Sequence, residues 1–189
     1  MTIDATPSYG TPCRLRIPNI EVGELYKTMI LDWFTTSIDE RKYRMLLSSL
    51  TSGDVDTFSQ IFKEFMLSSV SVFDVPSEES EKIYHAFVLG MLIGLKDHYE
   101  VKSNRESGLG RYDVMLIPKN KNDLGIIMEF KKVGRFEQTD LESAVISALK
   151  QIEDKKYPQE LLDRGINRHL YLGFAFEGKN ILIRSKFRH

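Results

Sequence analysis

The chain has 189 residues, 42% hydrophobic and 28% charged, which is enough for one globular domain with helical additions and a real core. Its single cysteine, Cys13, excludes an internal disulfide and a cysteine-based metal cluster, and favours a reducing, cytoplasmic setting. The net charge of −1 conceals an asymmetry: residues 1–100 carry 9 Lys/Arg against 15 Asp/Glu, and residues 101–189 carry 17 against 12. The basic half suits a polyanionic partner, though a plain solvated surface has the same composition. The best apolar run, Ala86–Leu95, is too short to span a membrane, and no membrane association is expected.

In chain order, residues 1–20 are polar and punctuated by Pro7, Pro12 and Pro18, so they read as an extended lead-in with a short edge strand at Leu15–Ile17. Helical periodicity follows over Val22–Phe34, with Val22, Leu25, Tyr26, Met29, Ile30 and Trp33 on one face and Trp33 and Phe34 read as core. Helices are predicted over Arg41–Leu50 and Val55–Val70, parted by Gly53 and Asp54. A long helix opens after Pro76 with Ser77 as N-cap and Glu78 and Glu79 in its first turn, and runs to about Lys96.

The pattern changes after Tyr99. Tyr99–Ser103, Arg111–Ile117 and Gly125–Val133 read as strands, with a turn at Pro118–Gly125. Thr139–Tyr157 is predicted as one helix, with Leu141, Val145, Ala148, Leu149 and Ile152 on its apolar face. Strands at His169–Phe176 and Ile181–Arg184 flank a turn at Glu177–Asn180. This order implies an α/β fold with a small mixed sheet flanked by helices. We divide it into a helical N-terminal subdomain, residues 1–76, and an α/β core, residues 77–189, within one compact unit.

Residues 103–132 carry the chemistry. Alternation places Asp113, Met115 and Ile117 on one face of a strand, and Ile127, Glu129 and Lys131 on one face of the next. Pairing these strands would gather Asp113, Glu129 and Lys131. Two carboxylates and an ammonium in an apolar sheet are costly unless paired or metal-bound. Mg²⁺ takes oxygen ligands and keeps several waters, so two carboxylates can hold it and leave room for a phosphate. A neighbouring lysine can orient water or offset charge on the phosphorus. The plainer alternative is an ion pair at a strand end.

These residues resemble a known family. Asp113 in GRYDV, followed by Glu-Phe-Lys in an apolar strand, is similar to the PD-(D/E)XK nuclease superfamily. The phrases IPNIEV (17–22), EKIYHAFVLG (81–90), SNRESGLGRYDVMLIP (103–118) and IIMEFKK (126–132) resemble one branch of it. That branch usually sits C-terminal to an AAA-ATPase-like domain in bacterial proteins. The likeness covers roughly residues 15–185. Tyr112 stands where the superfamily has proline, at a position that varies widely.

The resemblance implies a restriction-endonuclease-like core with a helical N-terminal extension, Mg²⁺ or Mn²⁺ as cofactor, and phosphodiester hydrolysis, with DNA as the expected substrate. It implies that Glu81, from the first core helix, joins Asp113 and Glu129 at the metal, and that Gln151 belongs to the catalytic set with Lys131. Glu81 and His85 lie four apart on one helix face, where a surface Glu–His pair is the alternative. His85 is expected to meet a phosphate or Glu81, and Arg105, Arg111 and Lys132 to contact substrate. Asn104, Arg105 and Glu106 equally suit a loop brace. Lys150, Lys155, Lys156 and Arg135 are further candidates for phosphate contact. No G-x-x-x-x-G-K-[ST] motif occurs, so an ATPase partner would be supplied from elsewhere. Two competing readings are a nuclease-fold module that binds or regulates a partner, including a homodimer, and a small-molecule phosphatase.

Overall fold

The structure is a computed structural model that describes residues 39–69, 80–107, 109–134, 139–178 and 180–188, with isolated helical positions between 20 and 32. Within these stretches, side chains of residues 69, 80–83 and 104–107 are not described. The predicted strand at 15–17, the N-cap Ser77, the core assignments Trp33 and Phe34, and Cys13 lie outside the described residues. Leu25 and Met29, expected on an apolar face, are 58% and 57% exposed.

Helix α1 (Glu40–Ser52) starts where Asp39 accepts the Arg41 N–H at 2.9 Å, satisfying a backbone donor that the first turn leaves open. It ends at Gly53, whose φ of +84° only glycine adopts without strain. Helix α2 (Val55–Ser69) buries Phe58, Ile61, Phe62, Phe65 and Met66, the spacing of a helix face turned to a core. Helix α3 (Ser80–Met91) passes into a 3-10 turn, Leu92–Leu95, rather than continuing as α-helix to Lys96.

Five strands follow: β1 (Tyr99–Ser107), β2 (Gly110–Pro118), β3 (Gly125–Lys132), β4 (His169–Glu177) and β5 (Asn180–Arg188). They form one sheet in chain order. All neighbours are antiparallel except β3 and β4, which run parallel. A parallel pair needs a crossover, supplied here by α4 (Leu141–Asp154) and α5 (Gln159–Asp163). Asp140 caps α4 by accepting the Ser143 N–H at 2.7 Å.

The helix predicted over 139–157 is present as α4 but ends at Asp154, and the short α5 that follows was not predicted. The chain turns at 155–158, where Lys156 takes a φ of +53°, and Pro158 follows Tyr157, a residue that proline steers away from helical backbone. The last strand reaches Arg188 instead of Arg184, because β4 pairs with it along its whole length from Glu177↔Asn180 to His169↔Arg188. Its exposed side chains hid that length in the sequence; Arg184 pairs with Glu142, and Lys186 and Arg188 with Glu153 on α4.

One face of the sheet (Val114, Leu116, Ile126, Met128, Phe130, Leu172, Phe174 and Phe176) packs on α1, α2 and α3. Full burial of each such side chain contributes roughly 1.5–3 kcal/mol. The other face buries Met115, Ile117, Ile127 and Tyr171 against Ile152, Tyr157, Leu161 and Ile166. The result is a five-stranded mixed sheet flanked by helices, with a helical N-terminal region on one side. Among the described residues no helix is long and apolar enough to cross a membrane.

Candidate active site

The second face carries the charged cluster. The β2–β3 pairing runs Leu116↔Ile126, Met115↔Ile127 and Val114↔Met128. Beyond it, the Asp113 carboxylate replaces a backbone acceptor: its Oδ2 takes the Phe130 N–H at 2.8 Å. Strict alternation also ends here. Tyr112, which by parity should face α2 and α3, turns to the other side, its ring edge-on to Tyr157 at 6.1 Å.

Glu129 is 2% exposed. Its Oε1 accepts Lys131 Nζ at 3.3 Å and the Gln151 amide N–H. Its Oε2 is buried without a hydrogen-bond partner. Burial raises the Glu129 carboxyl to about 7, with the nearby Asp113 charge adding to the rise and Lys131 opposing it. Lys131 Nζ also donates to Gln151 Oε1 at 2.6 Å. Gln151 thus comes from α4 to the two charged ends of β3.

That approach depends on β4. Gly173 is the partner of Glu129 in the β3–β4 ladder, and a Cβ there would stand 2.8 Å from the Val145 carbonyl oxygen. The missing side chain lets α4 lie directly on the sheet beside the cluster.

Asp113, Glu129, Lys131 and Gln151 are therefore brought together. Glu81 lies on α3, but its side chain is outside the described residues, as is that of Arg105 on β1; Arg135 is outside them altogether. His85 was expected to turn to a phosphate or Glu81. Its Nε2 lies 3.1 Å from the Asp113 carbonyl oxygen and 3.1 Å from Ser103 Oγ, so its ring braces the backbone of the strand that carries Asp113. The Arg111 side chain is exposed and Lys132 is half-buried; Lys150, Lys155 and Lys156 are exposed.

Sequence reasoning missed two contributors. Ser103 engages His85, and Tyr157 accepts the Gln151 amide at 3.1 Å while donating to the Arg111 carbonyl at 2.6 Å. Tyr157 closes a helical pattern just before a proline, which marks a boundary and nothing about its hydroxyl.

Among the described residues no group of three or more His, Cys, Asp or Glu side chains is gathered for a metal. Two carboxylates do fit a hard divalent cation, since Mg²⁺ commonly uses one or two carboxylates and completes its shell with water and phosphate oxygens. The unpartnered, buried Glu129 Oε2 is an oxygen that such a cation would satisfy.

The fold and this cluster together define a nuclease-type α/β core. A family model for the PD-(D/E)XK nuclease superfamily matches residues 79–186, and the chain belongs to that superfamily. No curated protein matches. Among solved structures the chain is similar to one titled "Crystal structure of SSO0001", at 14% identity over 86% of this chain and 75% of that one. The TM-score of 0.31 makes that likeness too loose to bear on fold or function.

Proposed function

We propose that this chain is a metal-dependent nuclease that hydrolyses phosphodiester bonds, with DNA as the first substrate to test. The observation that carries the reading is the Glu129 carboxylate, sunk in an apolar sheet beside Asp113 with one oxygen left without a protein partner. The pair with Lys131 engages only the other oxygen, and a divalent cation would satisfy this one.

In this reading Asp113 and Glu129 hold Mg²⁺ or Mn²⁺, with Glu81 as third carboxylate. A bound cation supplies Lewis-acid activation of the phosphate and of water. The Phe130 N–H fixes the Asp113 carboxylate in place, so it needs no reorganisation to act as a ligand. Lys131 directs its ammonium beside Glu129, where it can orient water or stabilise charge developing on the phosphate. Gln151 holds that ammonium on its amide oxygen. Arg111, Lys132, Lys150, Lys155 and Lys156 offer cations for the substrate backbone, and Arg105 is assigned with them from its place on β1. The sequence phrases that resemble the AAA-ATPase-associated branch support a motor domain as partner and a cytoplasmic setting.

The test is incubation with linear, circular and single-stranded DNA and with RNA, each with Mg²⁺, Mn²⁺ or EDTA. Cleavage that needs metal and disappears in Asp113→Asn supports the reading. Binding should weaken as salt rises, because phosphate contacts release counterions. Absence of cleavage on every substrate, with no metal binding at millimolar concentration, rejects it.

A further inference from the structure

We propose that Tyr157 is a positioning residue that locks the Gln151 amide in the orientation with its oxygen toward Lys131, through a hydrogen-bond chain anchored on the Arg111 backbone carbonyl. The effect on rate rests on the nuclease reading; the effect on the amide does not.

The argument is one of polarity. The oxygen and the nitrogen of a glutamine amide are nearly the same shape, so packing alone does not choose between its two orientations. Here the choice begins at the Arg111 carbonyl oxygen, which can only accept. Tyr157 lies 2.6 Å from it and must donate its one hydroxyl proton there. Toward Gln151 the hydroxyl is left with lone pairs, so the group 3.1 Å away has to be the amide NH₂. The second N–H of that NH₂ reaches Glu129 Oε1. The amide oxygen is thereby committed to Lys131 Nζ, at 2.6 Å.

The reverse orientation fails at both ends. It would set the amide oxygen against the Glu129 carboxylate, oxygen to oxygen, and the NH₂ against the Lys131 ammonium, donor to donor. Glu129 and Lys131 therefore favour the same orientation, and the chain Arg111–Tyr157–Gln151 locks it from the other side, holding the lysine's partner as an acceptor.

The surroundings leave the hydroxyl little freedom. Tyr157 is 1% exposed. Its ring packs on Tyr112, and a Cβ at Gly110 would come within 3.3 Å of it. Leu109 donates its N–H to the Lys155 carbonyl at 2.7 Å, tying the start of β2 to the turn that carries Tyr157. Arg111 and Tyr157 are held in one frame, so the polarity is built into the fold.

The experiment compares Tyr157→Phe with Tyr112→Phe in the full chain. Both lose one hydroxyl from adjoining buried rings, and the Tyr112 hydroxyl donates to Glu160 Oε2 at 3.2 Å, outside the chain described above. The Gln151 side-chain NH₂ is followed by NMR and assigned by its absence in Gln151→Ala. Hydrogen exchange of that NH₂ should be at least about tenfold faster in Tyr157→Phe and unchanged in Tyr112→Phe, as expected when one buried hydrogen bond is lost. With cleavable DNA, Tyr157→Phe should lower kcat by about tenfold with KM unchanged, the rate equivalent of one such bond. Wild-type exchange of the Gln151 NH₂ in Tyr157→Phe overturns the proposal. Equal changes in both variants also overturn it, since they reflect loss of any buried hydroxyl. If the wild-type chain cleaves nothing, the nuclease reading fails, and the amide comparison alone decides the role of Tyr157.

Discussion

Replacing Glu129 with glutamine should stabilise this protein in the absence of metal while removing its metal response. The Glu129 carboxyl is raised from an ordinary 4.5 to about 7, first by burial and then by Asp113. An acid raised in the fold binds its proton more tightly there than in the unfolded chain. Its ionisation therefore costs stability progressively as pH rises from about 4.5 to about 7, and the full cost persists above that. The span corresponds to about 3 kcal/mol. Glutamine copies the shape and hydrogen-bonding capacity of the protonated carboxyl, so the cost of its own buried polar atoms cancels to first order. In EDTA at pH 8, Glu129→Gln should be more stable by about 2–3 kcal/mol, or about 4–12 °C in Tm for a chain of this size. At pH 4.5 the difference should vanish. Saturating Mg²⁺ should reverse the order, because a ligand at about a hundred times its Kd stabilises the wild type by about 2.7 kcal/mol and the variant hardly at all. Thermal denaturation of both proteins at pH 4.5 and 8, with EDTA and with Mg²⁺, reads all four corners. A variant less stable than wild type in EDTA at pH 8, or a gain independent of pH, refutes the reasoning.

Metal affinity should itself depend on pH. A proton on Glu129 competes with the cation, so the Mn²⁺ Kd measured by titration calorimetry should weaken up to about tenfold per pH unit below pH 7 and level off above it; a flat profile between pH 5.5 and 8 contradicts this. Lys131→Ala should abolish DNA cleavage while leaving Mn²⁺ binding mostly intact, and full specific activity in the folded variant ends the catalytic assignment. Gly173→Ala should destabilise by about 1–3 kcal/mol, because the added methyl meets the backbone oxygen of Val145 rather than a side chain that can swing aside. It should also lift α4 from the sheet and weaken the Gln151 contacts with Glu129 and Lys131; a variant with unchanged chemical denaturation shows that the helix yields freely.

Much of this was legible in the amino-acid order. The side-chain alternation of β2 and β3, which are buried on both faces, and the 3.6-residue spacing of α1, α2 and α4 are local properties that follow from the period of each element. The same alternation placed Glu129 and Lys131 on one side of β3 and drew attention to them, because ionised groups do not sit in such a strand without a reason. What the order could not supply is anything that depends on which surface meets which. β5 is half exposed, so its length shows only in its pairing with β4. Tyr112 breaks the alternation next to Asp113, whose carboxylate takes the Phe130 N–H where the two strands part. The turn at 155–158 lay inside a continuous helical pattern, and only its packing against the start of β2 sets Tyr157 under Gln151. Sequence separation hides such contacts: Arg111 and Tyr157 are 46 positions apart. The residue types of the cluster follow from local composition, whereas the polarity of its hydrogen bonds follows from long-range contacts that exist only once the sheet and α4 have closed on each other.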